Sequence, residues 1–160
     1  MLSIRIPVPS KPIDIVRSIL DNPRSLQHVR PFVSENFAYV SLNYENNDLK
    51  KIMPWCGTSL GVESLVKTFE NVDRFWHVDS FSIETIFAQD DNVAVFGRFT
   101  YTSTVLTRPV TSPFAIFAKV AGGRCSYMQF MEDTFATAAS FRSGGAWRFR
   151  SDPSGEEVVI

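Results

Sequence analysis

Three long runs of strand-forming residues follow one another in the second half of the chain, and they limit the possible folds more than any other feature. The runs cover residues 92–105, 111–120 and 124–134, and each is rich in β-branched and aromatic side chains. Turn-forming residues separate them, among them the pair Gly122-Gly123. Three neighbouring antiparallel strands form a sheet whose apolar face must be covered by other elements.

The first half of the chain supplies this cover as helices. Apolar residues at helical spacing predict helices over residues 12–21, 23–29 and 61–76, and the last of these has the strongest periodicity. The remaining predicted elements are strands over 37–42, 81–87 and 147–150, a polar loop over 43–48, a short apolar piece over 49–55 and a closing helix over 135–141.

This order of elements predicts an α+β fold. A curved antiparallel β-sheet is expected to wrap around the helices as a cone and to enclose one apolar pocket. With 160 residues, the chain is long enough for a single domain with its own core. We place that domain at residues 12–150, after an extended arm over 1–11 and before a frayed tail over 151–160.

The composition argues against several classes of function. A net charge of −1 provides no basic field for nucleic acid or for an anionic membrane surface. The N-terminus lacks the apolar run of a signal peptide, and no stretch is long enough to span a bilayer. The two cysteines, Cys56 and Cys125, lack the spacing of a metal site. We therefore predict a cytoplasmic protein with reduced thiols and no metal or cofactor. Its aromatic residues, 13% of the chain, are expected to form a core or a pocket for a small hydrophobic ligand.

Five short motifs occur in an order that is informative about the family. They are WCG at 55–57, VAVFGR at 93–98, SPFA at 112–115, GGR at 122–124 and FMEDT at 130–134. With Gly61 at the start of the third helix, they resemble the SnoaL-like, ketosteroid-isomerase-like group of the nuclear transport factor 2 superfamily. The resemblance implies a cone fold, a pocket for small hydrophobic molecules and homodimers formed through the outer face of the sheet.

Known members of this group include isomerases, aldol cyclases of polyketides, dehydratases and epoxide hydrolases, as well as non-catalytic proteins. The resemblance therefore implies a cofactor-independent isomerase, cyclase or dehydratase that transfers protons on a small hydrophobic carbonyl compound. Two alternatives remain open on the sequence alone. The chain could be a small-molecule binding protein with the same pocket, or a dimeric interaction module of the same fold.

Asp133 is the predicted general base, because it matches a pocket carboxylate in the final strand of the family. An apolar cone would raise its pKa by desolvation and so suit it to take a proton next to a carbonyl. The alternative is a carboxylate at the rim that caps the helix near Phe135. In a regular strand the adjacent Glu132 points to the opposite face. We predict Asp133 inside and Glu132 outside, an assignment that a β-bulge would reverse.

Two tyrosines and a histidine complete the predicted catalytic set. Tyr39 and Tyr101 could donate hydrogen bonds to an oxyanion, as tyrosines do in isomerases of this fold, and Tyr127 could do the same. Each is also an ordinary aromatic residue for a strand. His77 follows the long helix and is predicted to act as an acid or base at the pocket mouth, with a surface position as the alternative.

The predicted pocket wall is mainly aromatic. Arg98 lies in the middle of a strand, where it either pairs with Glu84 or reaches into the pocket to bind an anion. Trp55 is expected to shape the lip of the pocket. The predicted substrate-binding residues are Trp55, Phe69, Phe96, Arg98, Phe114, Tyr127 and Met131.

Two positions depart from the family pattern. Met53 stands where ketosteroid isomerases place their base, and Ile116 stands where many SnoaL-like cyclases have a histidine. The acid–base pair of those enzymes is therefore not intact in this chain. Aldol cyclisation and steroid isomerisation are both disfavoured for that reason.

Overall fold

The computed structural model describes residues 11–160, so the arm predicted over residues 1–11 lies outside the described residues except for Lys11. The helices are α1 (Pro12–Asp21), α2 (Leu26–Val29), α3 (Asn47–Ile52), α4 (Val62–Phe75) and α5 (Thr134–Ala139), and a 3₁₀ turn (Arg30–Phe32) follows α2. The strands are β1 (Val33–Ser41), β2 (Gly57–Leu60), β3 (Trp76–Gln89), β4 (Asn92–Ser103), β5 (Pro109–Ala121), β6 (Arg124–Glu132), β7 (Arg148–Phe149) and β8 (Val158–Val159).

The first six strands form one curved sheet in the order β2-β1-β6-β5-β4-β3. β3 to β6 form an antiparallel meander, whereas β1 pairs with β6 in parallel. The predicted α+β architecture is confirmed, but the prediction of a wholly antiparallel sheet is wrong. Strands joined by a tight hairpin must run antiparallel. β1 and β6 are instead joined by a long path through α3, α4 and the meander, which permits parallel pairing.

β4 shows the alternation that separates the two faces of the sheet. The side chains of Val93, Val95, Phe99 and Tyr101 are buried on the concave face, while that of Phe96 is exposed on the convex face. β5 alternates in the same way along its whole length. Because side chains in a strand have a period of two, one residue of offset decides whether a side chain reaches the core.

Gly97 allows neighbouring groups to approach the β4 backbone closely. A Cβ atom at this position would lie 2.1 Å from the Ser82 carbonyl oxygen and 2.6 Å from the Phe114 ring. The pairing of β3 with β4 shifts register nearby, between Ile83 and Thr85, and such irregularities bend a strand. The missing side chain therefore lets the Phe114 ring pack directly on the β4 backbone.

α1 and α4 cover the concave face. Ile15 and Ile19 of α1 and Leu65 of α4 are fully buried, as the helical periodicity of both segments requires. α4 begins after Gly61, whose φ of +85° is a conformation that favours glycine. The helix predicted over residues 61–76 is confirmed to within one residue at each end.

Two short segments differ from the prediction. Residues 47–52, predicted as the end of a polar loop and the start of a short apolar piece, form α3. The Asn46 side chain caps this helix by accepting a hydrogen bond from the Leu49 amide at 2.9 Å. The tail predicted as frayed contains β8, which pairs antiparallel with β7. Trp147 and Ile160 exchange backbone hydrogen bonds that extend this hairpin.

Candidate active site

A small inner cavity lies between α4 and the concave face of the sheet. Its volume is about 20 Å³, which is room for about one water molecule. Most of its lining is apolar and aromatic. Its polar lining residues are Tyr39 and Ser41 from β1, Thr68 from α4, Tyr101 from β4 and Glu132 from the end of β6. The cavity thus brings together one carboxyl group and two phenols in an apolar environment.

Glu132 is the acid of this cavity. It lies two residues after the buried Phe130 and four after the buried Met128, so the three share the concave face of β6. Its Oε1 atom is buried and has no hydrogen-bond partner within residues 11–160. Desolvation raises the pKa of Glu132 to about 7, the Thr137 hydroxyl opposes this rise, and the nearby Asp133 adds to it. The side chain is therefore poised between its acid and base forms near neutral pH.

Helix α5 closes the site next to Glu132. The buried indole N–H of Trp76 donates to the Ser140 hydroxyl at 2.9 Å, and that hydroxyl donates to the Thr137 carbonyl oxygen at 2.7 Å. These bonds attach α5 to the start of β3. They fix the position of Thr137, whose hydroxyl acts on the Glu132 carboxyl group.

The two tyrosines are buried beside this acid. Burial raises the pKa of Tyr39, and so do the charges of Glu132 and Tyr101, while the Ser41 hydroxyl lowers it. Burial also raises the pKa of Tyr101, and Glu132 raises it further. Because these shifts move both values upward, both phenols stay protonated at neutral pH and can donate hydrogen bonds to a developing oxyanion.

Asp133 does not face this cavity, and the prediction that it does is wrong. Its side chain is exposed and caps α5, with Oδ1 accepting a hydrogen bond from the Ala136 amide at 3.0 Å. Its own amide donates to the Ser112 hydroxyl at 2.9 Å. The alternative of a rim carboxylate that caps the last helix is the correct one. The C-terminal end of β6 stays regular, so alternation places Glu132 inside and Asp133 outside.

His77 does not lie at the cavity, and the prediction of a mouth position is wrong. Its side chain is exposed, and its Nε2 lies 3.7 Å from the Asp79 carboxylate on the same strand. His77 stands between Trp76 and Val78, which both line cavities. Strand alternation therefore turns His77 to the opposite side.

The predicted wall residues divide between the two faces of the sheet. Trp55 and Phe69 line the inner cavity, and Trp55 is buried there and does not form a lip at the surface. Phe114 is buried one layer away and stacks on the cavity-lining Phe130, with ring centroids 5.2 Å apart. Phe96, Arg98, Tyr127 and Met131 lie on the convex face, so their assignment to the wall is wrong. Phe96 and Arg98 have the opposite parity to the buried Val95 and Phe99 of β4, and Tyr127 and Met131 have the opposite parity to the buried Met128 and Phe130 in the regular part of β6.

Arg98 pairs with Glu84 on the convex face. The guanidinium lies 2.6 Å from the Glu84 carboxylate, and both side chains are largely exposed. The alternative of a strand ion pair is therefore correct for this residue. An anion-binding role inside the pocket is wrong.

An outer chamber adjoins the inner cavity. Its volume is about 200 Å³, and it shares Phe69, Val72 and Tyr101 with the inner cavity. Its other walls come from the end of α1, from the α1–α2 connection, from α4 and from β3, and they include the oppositely charged Arg24 and Asp73. Phe69, Val72 and Tyr101 thus form the boundary between the chamber and the buried acid.

Several site residues were absent from the predicted set. Ser41 shares the parity of Tyr39 in β1, and Thr68 lies three residues after Leu65 in α4, so both carried a periodic signal that could have found them. Arg24 lies in a connection between helices, where no periodic pattern fixes the direction of a side chain. Its place at the chamber depends on tertiary structure alone.

Within the described part of the chain, no group of three or more histidine, cysteine or acidic residues could hold a metal ion. No helix between residues 11 and 160 has both the length and the apolar character needed to cross a membrane.

The curved sheet around helices is the fold of nuclear transport factor 2-like proteins. An NTF2-like protein from Burkholderia thailandensis E264 superimposes with a TM-score of 0.71 at 15% sequence identity, covering 84% of this chain and 99% of that protein. A putative SnoaL-like polyketide cyclase from Jannaschia sp. CCS1 superimposes with a TM-score of 0.68 at 15% identity, covering 89% and 99%. These likenesses establish the fold that the sequence predicted.

Relatives that are similar in sequence identify a narrower family than the shared fold does. Patulin synthesis protein F from Aspergillus clavatus is 38% identical over 135 residues, which cover 82% of this chain and 68% of that protein. Patulin biosynthesis cluster protein F from Penicillium expansum is 35% identical over 150 residues, which cover 90% of this chain and 75% of that protein. No protein-family model matches the chain. The chain belongs to the family of patulin synthesis protein F.

Proposed function

We propose that this protein is a cofactor-independent isomerase or cyclase of a small carbonyl compound, with Glu132 as its general base. The observation that carries the proposal is the buried Glu132 carboxyl group, whose pKa is raised to about 7, next to two buried phenols. A base with a pKa near the working pH combines a large ionised fraction with a strong driving force for proton transfer.

The reaction begins with removal of a proton from a carbon next to a carbonyl group. Glu132, in its ionised form, takes that proton. The electron pair of the C–H bond forms a C=C bond, and the π pair of the carbonyl group moves to its oxygen. Tyr39 and Tyr101 donate hydrogen bonds to the resulting enolate oxygen in a site that excludes bulk water. Protonated Glu132 then returns the proton at another carbon. Alternatively, the enolate carbon attacks a second carbonyl carbon of the same molecule, and Glu132 returns the proton to the oxygen of that second carbonyl group. Either outcome leaves the enzyme unchanged and requires no cofactor.

The names of the relatives support a small metabolite as substrate. Both relatives are named for the synthesis of patulin, and we propose that this chain acts in the synthesis of patulin or of a similar small compound. The chamber of about 200 Å³ lies below the usual range of about 300–1,000 Å³ for pockets that hold drug-sized ligands, which supports a small substrate.

Replacement of the acid by its amide tests this proposal. Cyclohexane-1,4-dione is a small diketone, and deuterium uptake at its carbons from D₂O, followed by NMR, reports proton abstraction without knowledge of the natural substrate. We expect Glu132→Gln to slow enzyme-catalysed exchange by about 10²- to 10⁴-fold. The wild-type rate should rise with pH through about 7, because only ionised Glu132 accepts a proton.

Asp133→Asn is the matched control for this experiment. It changes the neighbouring carboxylate to an amide, and asparagine is an equally good helix cap. We expect exchange within about twofold of the wild-type rate, since Asp133 lies outside both cavities. Exchange that survives Glu132→Gln would rule out the proposed base.

A non-catalytic binding protein is the second candidate. The observation in its favour is the size of the inner cavity, which at about 20 Å³ leaves Glu132 in contact with little more than a water-sized space. Such a protein would bind ketones in the outer chamber without accelerating their deuterium exchange. Glu132→Gln would then change neither the affinity for ketones nor the exchange rate.

We also propose a homodimer in the cytoplasm, formed through the convex face of the sheet. Phe96, Ala115 and Met131 stand opposite one another on three neighbouring strands and form an apolar row. Phe96 is 47% exposed, and its ring stacks with that of the exposed Phe87. A contiguous apolar row of this kind supports an interface between copies of the chain. The free, buried thiols Cys56 and Cys125 support a reducing compartment.

Phe96→Glu tests the proposed dimer. We expect it to shift the molecular mass measured by analytical ultracentrifugation from that of two chains to that of one, because it would bury a carboxylate in an apolar contact. Val105→Glu serves as control, since it adds the same charge at an exposed position in the β4–β5 connection. A wild-type protein that sediments as one chain would contradict the proposal.

A further inference from the structure

The outer chamber has an unusual distribution of charge. Among the residues that line the chamber and the inner cavity, only Arg24, Asp73 and Glu132 are charged. Arg24 lies in the connection between α1 and α2, and Asp73 lies near the end of α4. Nη1 of Arg24 is 2.6 Å from Oδ1 of Asp73, and each side chain is about half exposed. This ion pair therefore lies in the wall of the chamber, on the solvent side of the boundary residues Phe69 and Tyr101.

Arg24 keeps hydrogen-bonding capacity after it has paired with Asp73. A guanidinium group has five N–H donors and no acceptor. Within residues 11–160, Asp73 is the polar partner of the Arg24 side chain, and the contact uses one of its nitrogens. The other donors lie on a group that lines the chamber, where an oxygen atom of a bound molecule could accept from them.

Asp73 determines which kind of oxygen suits this position. The aspartate neutralises the charge of the guanidinium, so an anion that enters the chamber meets no net positive charge there. The oxygen of a neutral carbonyl or hydroxyl group needs only a donor and no net charge. The ion pair therefore favours a neutral acceptor over a carboxylate.

We propose that Arg24, held by Asp73, is a specificity-determining residue that donates a hydrogen bond to a neutral oxygen at the outer end of the substrate. The remaining chamber walls near it, Leu20, Val78 and Phe81, are apolar and suit a hydrocarbon ring. The substrate class is thus a small neutral ring compound with oxygen atoms at two opposite ends. One oxygen accepts from Arg24, and the other faces Tyr101. The orientation of this second end rests on the proposed function of Glu132.

A binding experiment tests this inference without any turnover. Tyr101 lines the chamber, and its ring centroid lies 5.8 Å from that of Trp76, so the fluorescence of Trp76 reports ligand binding there. Cyclohexane-1,4-dione carries oxygen at both ends of its ring, and cyclohexanone carries it at one end. We expect the wild-type protein to bind the dione about five- to tenfold more tightly than the monoketone. This ratio is smaller than a fully buried charged hydrogen bond would give, because the Arg24 side chain is half exposed.

Arg24→Met should abolish this preference while cyclohexanone binding changes less than twofold. Arg30→Met is the matched control. Nη2 of Arg30 lies 2.8 Å from Oε1 of Glu63 in α4, and this ion pair is similarly exposed and also joins the α2 region to α4. Arg30 and Glu63 line neither the chamber nor the inner cavity. A purely structural role of such ion pairs would affect both variants alike, whereas the proposal requires the preference to survive in Arg30→Met.

Asp73→Asn gives an independent second measurement. It leaves Arg24 with an uncompensated charge, so we expect the binding of 4-oxocyclohexane-1-carboxylate to strengthen about fivefold or more relative to the wild-type protein. Equal affinity of the wild-type protein for the dione and the monoketone, or an unchanged preference in Arg24→Met, would overturn the inference. In either case the effect of Glu132→Gln on exchange would still decide the proposed function separately.

Discussion

The concave and convex faces of the same strands carry the same kinds of residue, yet only one face forms a site. On the concave face, Glu132 and Tyr101 share an apolar cavity, and burial shifts the pKa of both. On the convex face, Glu84 is paired with Arg98 and lies in solvent. The comparison teaches that residue type does not define the chemistry here. Desolvation does, and the parity of a residue in its strand decides which side chains are desolvated.

The largest expected effect that would test this comparison comes from the tyrosines. We expect Tyr101→Phe to slow deuterium exchange into cyclohexane-1,4-dione by about 10²- to 10³-fold, because it removes one donor to the enolate oxygen. Tyr127→Phe makes the same change on the convex face, where the hydroxyl donates to the Gln129 side chain at 3.1 Å. It should leave the exchange rate within about twofold. Similar losses in the two variants would contradict the distinction between the faces.

The next effect concerns stability and its dependence on pH. The pKa of Glu132 is raised from the ordinary value of 4.5 to about 7 in the folded chain. Between pH 4.5 and pH 7, Glu132 keeps its proton in the folded state but loses it in the unfolded state. The contribution of Glu132 to the free energy of unfolding is therefore complete below about pH 4.5. It is lost as the pH rises through 7. The difference between the two pKa values of Glu132 corresponds to about 3 kcal/mol in the free energy of unfolding.

Urea unfolding at pH 4 and at pH 8 measures this effect. We expect the free energy of unfolding of the wild-type protein to fall more between these values than that of Glu132→Gln, by about 3 kcal/mol. The variant should therefore be the more stable protein at pH 8, although it has lost its base. A parallel pH dependence for the two proteins would show that the carboxyl group is well solvated.

The smallest effect concerns the neighbour of the acid. We expect Asp133→Ala to lower the free energy of unfolding by about 1 kcal/mol, because it removes the side chain that caps α5. Exchange should stay close to the wild-type rate, and Asp133→Asn should restore the stability. Thermal unfolding of the three proteins measures the first quantity. A loss of exchange in Asp133→Ala that Asp133→Asn does not restore would assign Asp133 a part in the chemistry.

The long elements could be predicted from the sequence because their periodicity is sustained. α4 and the meander from β4 to β6 were predicted nearly to their ends, since each has enough residues for the pattern to be unambiguous. α3 was missed because its six residues are too few for a helical period and its start depends on one side chain, Asn46. The parallel pairing of β1 with β6 was missed because no local signal connects strands so far apart in the chain.

The candidate site could be predicted only in part. The sequence placed the acid at the end of β6 but indicated Asp133, whereas the cavity is lined by Glu132. It placed Tyr39 on β1 and Tyr101 on β4, and both line the cavity. It could not decide between Glu132 and Asp133, because that choice depends on whether β6 contains an irregularity and where. The register shift lies at Lys119 and Val120, next to the β5–β6 turn, and leaves the C-terminal end of β6 regular. Arg24 was beyond prediction, since its position is set by how α1 packs on the sheet.

The contact of Phe114 with the backbone at Gly97 has a consequence for how relatives of this protein can change their substrates. Position 97 accepts no side chain, so the floor, which is the layer of the sheet beneath the cavity where Phe114 packs on β4, is restricted in shape at this point. The roof, in contrast, consists of side chains such as Phe69 and Val72 that project from a helix and have no such restriction. New selectivity should therefore evolve, or be engineered, by trimming or enlarging the roof while the floor remains untouched.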